Sequence, residues 1–355
     1  MRFFLACAVA AVAIAQPGGC GSAPSSPTDL AGRAWTVSGA CPAHDPAVAW
    51  DGLQYFLWAT DAGSHAPLLR QWCSPDALAW RECAHVLPAG LPAWALALAP
   101  TATNAWAPDV SWWASTQRWH LYYAVSEFGK TVSALGLAST PTLDPTNSSF
   151  GWRDDGLVLA TNSSATYNAI DANIVFDADS HAPYLVFGSF WTGIHALPLE
   201  LGTGKPIAGG AVTQLAARDD PGDNSAIEGA FLVHRGASYW LFVSWNHCCE
   251  GVRSNYEVRV GRSASLLGPF VDASGRAMLQ GGGTHLIGGG HGWAAGGGQS
   301  LLRATPGAPV PGDNGTDSAP QTIVLHAYDG VTGQPWLNVL TVDWSAAWPV
   351  IQGAA

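Results

Sequence analysis

The stretch AIDANIVFDADSHAPYLVFGSFW (residues 169–191) contains an acidic residue, a short apolar strand, a polar turn and an aromatic strand, in that order. Nearly the same order recurs around Asp45, Asp109 and Glu228, so the leading acids are about 60 residues apart. A fifth copy begins near Gln299, where an amide replaces the acid. Short strands with alternating aromatic residues, separated by turn residues, indicate antiparallel β-structure.

The length of this repeat is typical of one propeller blade, which holds four strands. Five copies therefore predict an all-β fold, a five-bladed β-propeller, with no second domain. The first strand of each blade lines the central channel, so we expect the leading acids to meet at one mouth. A single β-sandwich with acids at ordinary strand ends is the alternative, and the regular spacing favours the propeller.

Composition and charge exclude some classes of partner. Only 12% of the residues are charged, the net charge is −11, and no basic run is present. A surface that binds phosphates needs clustered Lys and Arg, so we expect no nucleic-acid partner. The apolar segment at the N-terminus is too short to span a bilayer, and no other segment is long enough, so no membrane partner is expected. The lack of an extended apolar segment favours a monomer.

The N-terminal region indicates secretion. In residues 1–15, one Arg is followed by an apolar run that ends in Ala-Ile-Ala, the form of a secretory signal peptide. Residues 16–33 are rich in Pro, Gly and Ser and are predicted to be a disordered leader, with the propeller domain over 34–355. Three glycosylation sequons fit a secreted glycoprotein: Asn147, Asn162 and Asn314.

Seven cysteines are present, one of them within the predicted signal peptide. A secreted protein can form disulfides, and Cys73 with Cys83 is the preferred local pair. The adjacent Cys248 and Cys249 could bridge each other, pair elsewhere or remain buried, and a structural role is expected for them. No Cys/His spacing matches a zinc site.

Longer motifs within the repeat match a known family. They are HDPAV (44–48), WAPDVSWW (106–113), NAID (168–171), IEGAFL (227–232) and CCEGVRSNYEVRVGRS (248–263). These motifs resemble glycoside hydrolase family 43 and, within it, the arabinanases, which are five-bladed propellers that cleave α-1,5-linked L-arabinofuranose chains. The resemblance implies that the substrate is arabinan of pectin side chains and that no cofactor is required.

The resemblance also implies three catalytic residues: Asp45 as general base, Glu228 as general acid, and Asp171 to hold and tune the acid. Glycoside hydrolysis by inversion needs one protonated carboxyl and one ionised carboxylate on opposite faces of the sugar, which agrees with this assignment. Apolar walls or the like charge of Asp171 would raise the pKa of Glu228. Pro46 predicts an extended backbone at Asp45. Asp109, at the equivalent point of the repeat, is predicted to be structural.

Sugar rings pack against aromatic side chains, and Trp191 is the best stacking candidate in the chain. The residues that the resemblance implies for substrate contact are Phe128, Gly129, Asn168, Ala169, Ile170, Ser189, Phe190 and Trp191.

Many members of the family carry a His in a GPGH segment of the fifth blade that helps to hold a calcium ion or a water cluster. Here Gly298 and Gln299 occupy that segment, so no metal ligand is assigned and a structural calcium ion at the channel axis is left open.

The sequence thus predicts a secreted, inverting endo-arabinanase. An exo-acting α-L-arabinofuranosidase or a β-xylosidase of the same family is one alternative. A carbohydrate-binding propeller without activity is another, and retention of the three acids argues against it.

Overall fold

The computed structural model describes residues 23–61, 63, 66–218, 225–304 and 321–353. These residues form five antiparallel sheets, one after another along the chain, and the predicted five-bladed β-propeller is confirmed. In each blade the strands follow one another in chain order from the first strand outward.

The strands of blade 1 are β1 (Ala47–Trp50), β2 (Tyr55–Trp58), β3 (Leu68–Ser74) and β4 (Arg81–Leu87). Those of blade 2 are β5 (Trp106–Trp113), β6 (Arg118–Ser126), β7 (Ser133–Thr140) and β8 (Arg153–Thr161). Those of blade 3 are β9 (Asn173–Phe176), β10 (Pro183–Phe187), β11 (Ile194–Pro198) and β12 (Thr213–Ala216). Those of blade 4 are β13 (Ile227–Arg235), β14 (Ser238–Trp245), β15 (Glu257–Ser263) and β16 (Thr284–Ile287). Those of blade 5 are β17 (Trp293–Leu301), β19 (Gln321–Asp329), β20 (Pro335–Asp343) and β21 (Val350–Ile351), while the short β18 (Arg303–Ala304) pairs with blade 1.

Helical structure is minor. One α-helix, α1 (Ala93–Leu98), lies between blades 1 and 2, and the 3₁₀ turns Gly251–Arg253 and Met278–Gln280 lie in blade 4. Within the described part of the chain, no helix is long and apolar enough to cross a membrane.

The first strands β1, β5, β9, β13 and β17 are neighbours in a closed ring around the axis. Each begins at the same face of the molecule, which we call the upper face. Hydrophobic clusters fill the five boundaries between blades: Trp58 packs with Leu121 between blades 1 and 2, and Leu57 with Leu337 between blades 5 and 1. Because every blade is packed on both sides, the start of each first strand is held rigidly at the upper mouth of the channel.

The four strands of blade 5 come entirely from the C-terminal part of the chain, and the short β18 that follows β17 joins the sheet of blade 1. β18 pairs in parallel with β1, and the segment before blade 1 packs on blade 5. Leu30 is 3% exposed, and its N–H donates to Oδ1 of Asn338 at 2.9 Å. The prediction of a disordered 16–33 leader is therefore wrong for residues 23–33, because an apolar side chain within it enters the core between blades 4 and 5.

Three predictions concern residues outside the described part of the chain: the signal peptide of residues 1–15, residues 16–22 of the leader, and the sequon at Asn314. The disulfide between Cys73 and Cys83 is confirmed and joins β3 to β4. Cys248 and Cys249 are bonded to each other on the upper face, in the segment between β14 and β15.

Candidate active site

Every blade has a left-handed backbone at an equivalent point, which lies within the first strand in blades 2, 4 and 5 and two residues before it in blades 1 and 3. The five residues are Asp45 (φ 47°), Ala107 (41°), Asp171 (57°), Gly229 (56°) and Gly298 (60°). In blades 2, 4 and 5 a β-bulge lies at this point. A non-glycine residue in this conformation costs about 1–2 kcal/mol, and such strain is concentrated at functional sites. The prediction of an extended backbone at Asp45 is therefore wrong.

The repeat suggested that the four acids occupy equivalent positions, but they do not. Asp45 and Asp171 are at the left-handed point itself, whereas Glu228 comes one residue before it and Asp109 two residues after it. Asp45, Asp109 and Asp171 nevertheless line one cavity of about 30 Å³ on the axis. The fold thus brings together acids from four blades, but at different depths.

Asp45 is held through one of its two carboxylate oxygens. Oδ2 accepts hydrogen bonds from Nδ1 of His44 and from Oγ1 of Thr60, both at 2.7 Å. The backbone N–H of Asp45 donates to Nδ1 of His326 at 3.0 Å. Oδ1 makes no hydrogen bond with the described residues and lies 3.6 Å from Nδ1 of His326.

The pKa of Asp45 is about 2. Burial alone would raise the pKa of this carboxyl, but the charge and hydrogen bond of His44, followed by His326 and Thr60, lower it. Burial likewise opposes the charged form of His44, and the Asp45 carboxylate overcomes this effect and raises the pKa of His44. Asp45 is therefore ionised at neutral pH.

Asp171 and Glu228 lie next to each other. The N–H of Gly229 donates to Oδ2 of Asp171 at 3.0 Å, and Glu228 accepts hydrogen bonds from Ser189 at 2.6 Å and Tyr256 at 2.8 Å. Burial, followed by the charges of Glu228 and of Asp45, raises the pKa of Asp171 well above its ordinary value.

Burial also raises the pKa of Glu228, against the lowering effect of its two hydroxyl donors and with a further contribution from Asp45. One ionised carboxylate thus lies at the mouth together with two carboxyl groups whose pKa values are above the ordinary range. This is the difference in protonation that acid–base hydrolysis of a glycoside requires.

Asp109 ties three blades together below the mouth. It accepts the N–H of Ile174 at 2.9 Å and contacts Nη2 of Arg303 at 3.3 Å, and the same nitrogen donates to the carbonyl of Ile174 at 2.6 Å. Burial raises the pKa of Asp109, against the lowering effect of Arg303. These contacts agree with the structural role predicted for Asp109.

Four of the predicted substrate contacts lie on upper-face loops. Phe128, 72% exposed, and Gly129 are in the loop between β6 and β7, and Trp191, 40% exposed, is between β10 and β11. Phe190 lies beside it, with its ring 5.7 Å from that of His247. Phe128, Phe190 and Trp191 thus lie on the face of the molecule at which the channel mouth opens.

The other four predicted contacts are buried. Ser189 donates its hydroxyl to Glu228 and so holds the acid. Asn168 accepts a hydrogen bond from Ser133 at 2.6 Å, and Ile170 packs in the core between blades 2 and 3. Ala169 has no exposed surface, so the prediction that it contacts substrate directly is wrong.

Gly298 and Gln299 have defined roles that the sequence did not indicate. A Cβ atom at Gly298 would lie 2.5 Å from Oδ1 of Asp45, so the observed position of the Asp45 carboxylate requires glycine there. The Gln299 amide accepts from Ser244 at 2.8 Å and donates to the carbonyl of Gly229 at 2.7 Å. Gln299 therefore ties blade 5 to blade 4 and offers no free ligand atom.

The structural calcium ion that the sequence left open does not fit the contacts of His326. Nε2 of this buried side chain has no hydrogen-bond partner among the described residues. Burial, followed by His44, lowers the pKa of His326 well below its ordinary value, so the ring is neutral. Because Nδ1 accepts the N–H of Asp45, the ring hydrogen is on Nε2, which can donate to water but cannot bind a cation in that state.

Five residues of the mouth were not found from the sequence: His44, Thr60, Tyr256, His326 and Tyr328. Two signals could have indicated three of them. His44 directly precedes Asp45 in the HDPAV motif, and His326 and Tyr328 are two residues apart on β19, so their side chains share one face.

Comparison with known proteins gives concordant results. The profile of the glycosyl hydrolases family 43 matches residues 39–304. The chain is 38% identical over 307 residues to an extracellular endo-α-(1→5)-L-arabinanase of Bacillus subtilis strain 168, and the alignment covers 86% of each chain. It is 32% identical over 320 residues to an extracellular exo-α-(1→5)-L-arabinofuranosidase of Cellvibrio japonicus strain Ueda107, which covers 87% of this chain and 86% of the relative.

A solved structure is also similar. The α-L-arabinanase of Cellvibrio cellulosa complexed with arabinohexaose superimposes with a TM-score of 0.76 at 31% identity, over 87% of this chain and 95% of that one.

Proposed function

The chain belongs to the glycosyl hydrolases of family 43, and on that premise we propose that it is a secreted endo-arabinanase. Its substrate is the α-1,5-linked L-arabinofuranosyl chain of arabinan, and it hydrolyses the glycosidic bond with inversion. The observation that carries the proposal is Asp45, with a lowered pKa, at one mouth with Asp171 and Glu228, whose pKa values are raised. A relative named as an endo-α-(1→5)-L-arabinanase and a similar arabinanase structure complexed with arabinohexaose supply the substrate class.

Each acid has one part in the proposed reaction. Glu228 donates its proton to the leaving glycosidic oxygen, and Oδ1 of Asp45 takes the proton of a water molecule that attacks the anomeric carbon from the other side. Asp171, beside Glu228, accepts the N–H of the following residue, Gly229, and so helps to hold the acid in place. After one turnover Glu228 is ionised and Asp45 is protonated, and exchange with solvent restores both.

Product analysis tests the proposal. Wild type should release mixed oligosaccharides from linear α-1,5-arabinan, and Glu228→Gln should lower kcat by about 10²–10⁴-fold at unchanged thermal stability. Near-normal activity of Glu228→Gln would contradict the assignment of Glu228 as the general acid. Release of arabinose alone would show an exo enzyme, and binding of arabino-oligosaccharides without products would show a binding protein.

Stereochemistry is tested separately. Proton NMR of the first product formed should show the anomer opposite to that of the substrate, because inversion places water between the two carboxyl groups. Retention would contradict the assignment of Asp45 as a base.

Secretion and oligomeric state belong to the same proposal. Two relatives are named as extracellular, and residues 1–15 have the form of a signal peptide. N-terminal sequencing of protein recovered from the culture medium should begin after residue 15. Light scattering during gel filtration should give the mass of one chain.

We propose that no cofactor and no calcium ion take part. Dialysis against a chelator should leave kcat and Tm unchanged, because Nε2 of His326 carries hydrogen in the contacts described above. A loss of either quantity that calcium restores would show a cation on the axis and the other tautomer of His326.

A further inference from the structure

We propose that His44, Tyr328 and the Cys248–Cys249 disulfide form a hydrogen-bonded chain that positions the carboxylate of Asp45. The inference rests on the proposed function, in which Asp45 is the general base. The members of this chain act through Asp45 and are positioning residues.

The chain consists of three short contacts. Nδ1 of His44 lies 2.7 Å from Oδ2 of Asp45, and Nε2 of His44 lies 2.6 Å from the hydroxyl oxygen of Tyr328. The same hydroxyl accepts the backbone N–H of Cys249 at 2.8 Å. Tyr328 is 2% exposed, so water competes little for its hydroxyl.

The ionised carboxylate of Asp45 fixes the direction of the contacts at His44. It can only accept, so Nδ1 of His44 donates to it. The Tyr328 oxygen accepts the backbone N–H of Cys249 through one lone pair and has its own hydrogen available for Nε2 of a neutral His44. A neutral His44 then carries its hydrogen on Nδ1, and a protonated His44 carries hydrogen there as well. In both states His44 donates to Asp45, which is the function of an orienting partner for an imidazole in other catalytic sites.

This arrangement leaves one oxygen of the base free. His44 and Thr60 both donate to Oδ2, so the carboxylate cannot turn without breaking two hydrogen bonds. Oδ1, which makes no hydrogen bond with the described residues, lies against the Cα side of Gly298. The free lone pairs of Oδ1 are thereby kept for the attacking water.

The disulfide anchors the far end of the chain. Cys249 has a left-handed backbone, φ 69°, and its side chain is bonded to that of the residue before it. Cys248 packs against the buried cluster of Tyr256, Ala295 and Tyr328. The N–H of Cys249 is thus fixed relative to the strands that carry Tyr328, which gives the vicinal disulfide a role in the site.

The test is a double-mutant cycle on arabinan hydrolysis. Tyr328→Phe keeps the ring and removes the hydroxyl, and should lower kcat by about 10-fold with KM unchanged. His44→Ala should lower kcat further. Tyr328→Phe added to His44→Ala should have no additional effect, because both act through one chain. Multiplying effects, or a change in KM alone, would overturn the proposal.

The matched control is Tyr239→Phe on blade 4. The Tyr239 hydroxyl also accepts a backbone N–H, that of Ala178 at 2.8 Å, and donates to a carboxylate, that of Asp177 at 2.9 Å. These contacts are on the face opposite the mouth, so kcat should not change. An equal loss of kcat in Tyr239→Phe would show that the effect of Tyr328→Phe comes from a general loosening of the fold and not from the contact with His44.

Two further variants separate the possible failures. If Asp45→Ala keeps normal activity, the proposed function fails. If Asp45→Ala is inactive and Tyr328→Phe is fully active, only the positioning chain fails. The double variant Cys248→Ala/Cys249→Ala should lower kcat by no more than Tyr328→Phe does. When it is combined with Tyr328→Phe, kcat should be no lower than in Tyr328→Phe alone. A larger or an additive loss would show that the disulfide does not act through the hydrogen-bonded chain. The Tm of every variant shows whether it is folded.

Discussion

Gly298→Ala should damage the base while leaving every carboxyl group in place. A Cβ at this position would lie 2.5 Å from Oδ1 of Asp45 and 2.8 Å from Nδ1 of His326. The backbone of Gly298 cannot move away easily, because its N–H donates to Oγ of Ser244 at 2.9 Å. The Asp45 carboxylate must therefore move instead.

The size of the effect follows from these distances. Ordinary van der Waals contact begins at 3.4 Å, so Oδ1 has to retreat by about 1 Å, and a displacement of that size costs about 10²-fold in rate. The backbone of Gly298, at φ 60°, is also unfavourable for alanine and should lower the free energy of unfolding by about 1–2 kcal/mol. We therefore expect kcat to fall about 100-fold in a folded protein.

The assay is release of reducing sugar from linear arabinan, with Tm measured on the same samples. Gly236→Ala is the matched control, because Gly236 has φ 61° and nothing lies within 4 Å of its added Cβ. It should show the same loss of stability and a normal kcat. Normal kcat in Gly298→Ala, or an equal loss in Gly236→Ala, would refute the argument that the clash with Asp45 matters.

Three other predictions concern pH, substrate binding and stability. Asp45 must be ionised and Glu228 protonated, so kcat/KM should fall on the acid side only as the pH approaches about 2, and on the alkaline side as the pH rises through the raised pKa of Glu228; an acid limb at the ordinary carboxyl value would contradict this. Trp191→Ala should raise KM several-fold for arabino-oligosaccharides and leave kcat nearly unchanged, because stacking holds substrate and transition state equally; a fall in kcat alone would place Trp191 elsewhere. Arg303→Met should lower the free energy of unfolding in denaturant by about 3–5 kcal/mol, because Asp109 is then left buried without its partner; adding Asp109→Asn should recover part of the loss, and no recovery would contradict the ion pair.

The fold could be predicted from the sequence because the repeat is long and regular. Each copy carries the alternation of one blade, and the count of five copies is the count of sheets. The leader was misjudged because Pro, Gly and Ser dominate its composition, and Leu30 alone does not suggest a core residue. Its partner Asn338 comes from the far end of the chain, so no local pattern could reveal the contact.

The site could be predicted only in part. The acids follow from their motifs, but their depth does not, because it depends on where each acid stands relative to the left-handed residue of its blade. Ala107 shows the same left-handed backbone as Asp45, which composition alone would not indicate. His44 and Tyr328 were missed for a different reason: each looks like an ordinary residue of an aromatic strand or motif until the ring of blades closes.

The odd number of blades explains why one carboxylate faces a pair. In a ring of five, blade 1 is opposite the boundary between blades 3 and 4. Asp171 and Glu228 belong to these two blades and are joined there through the N–H of Gly229. Burial raises the pKa of both carboxyl groups, and the charge of Glu228 raises that of Asp171 further. Asp45, across the axis, is beside His44 and stays ionised. In a ring of six, blade 4 alone would face blade 1, and Asp171 would lie to one side. The division between base and protonated pair thus comes from which of five equivalent blades carry the acids.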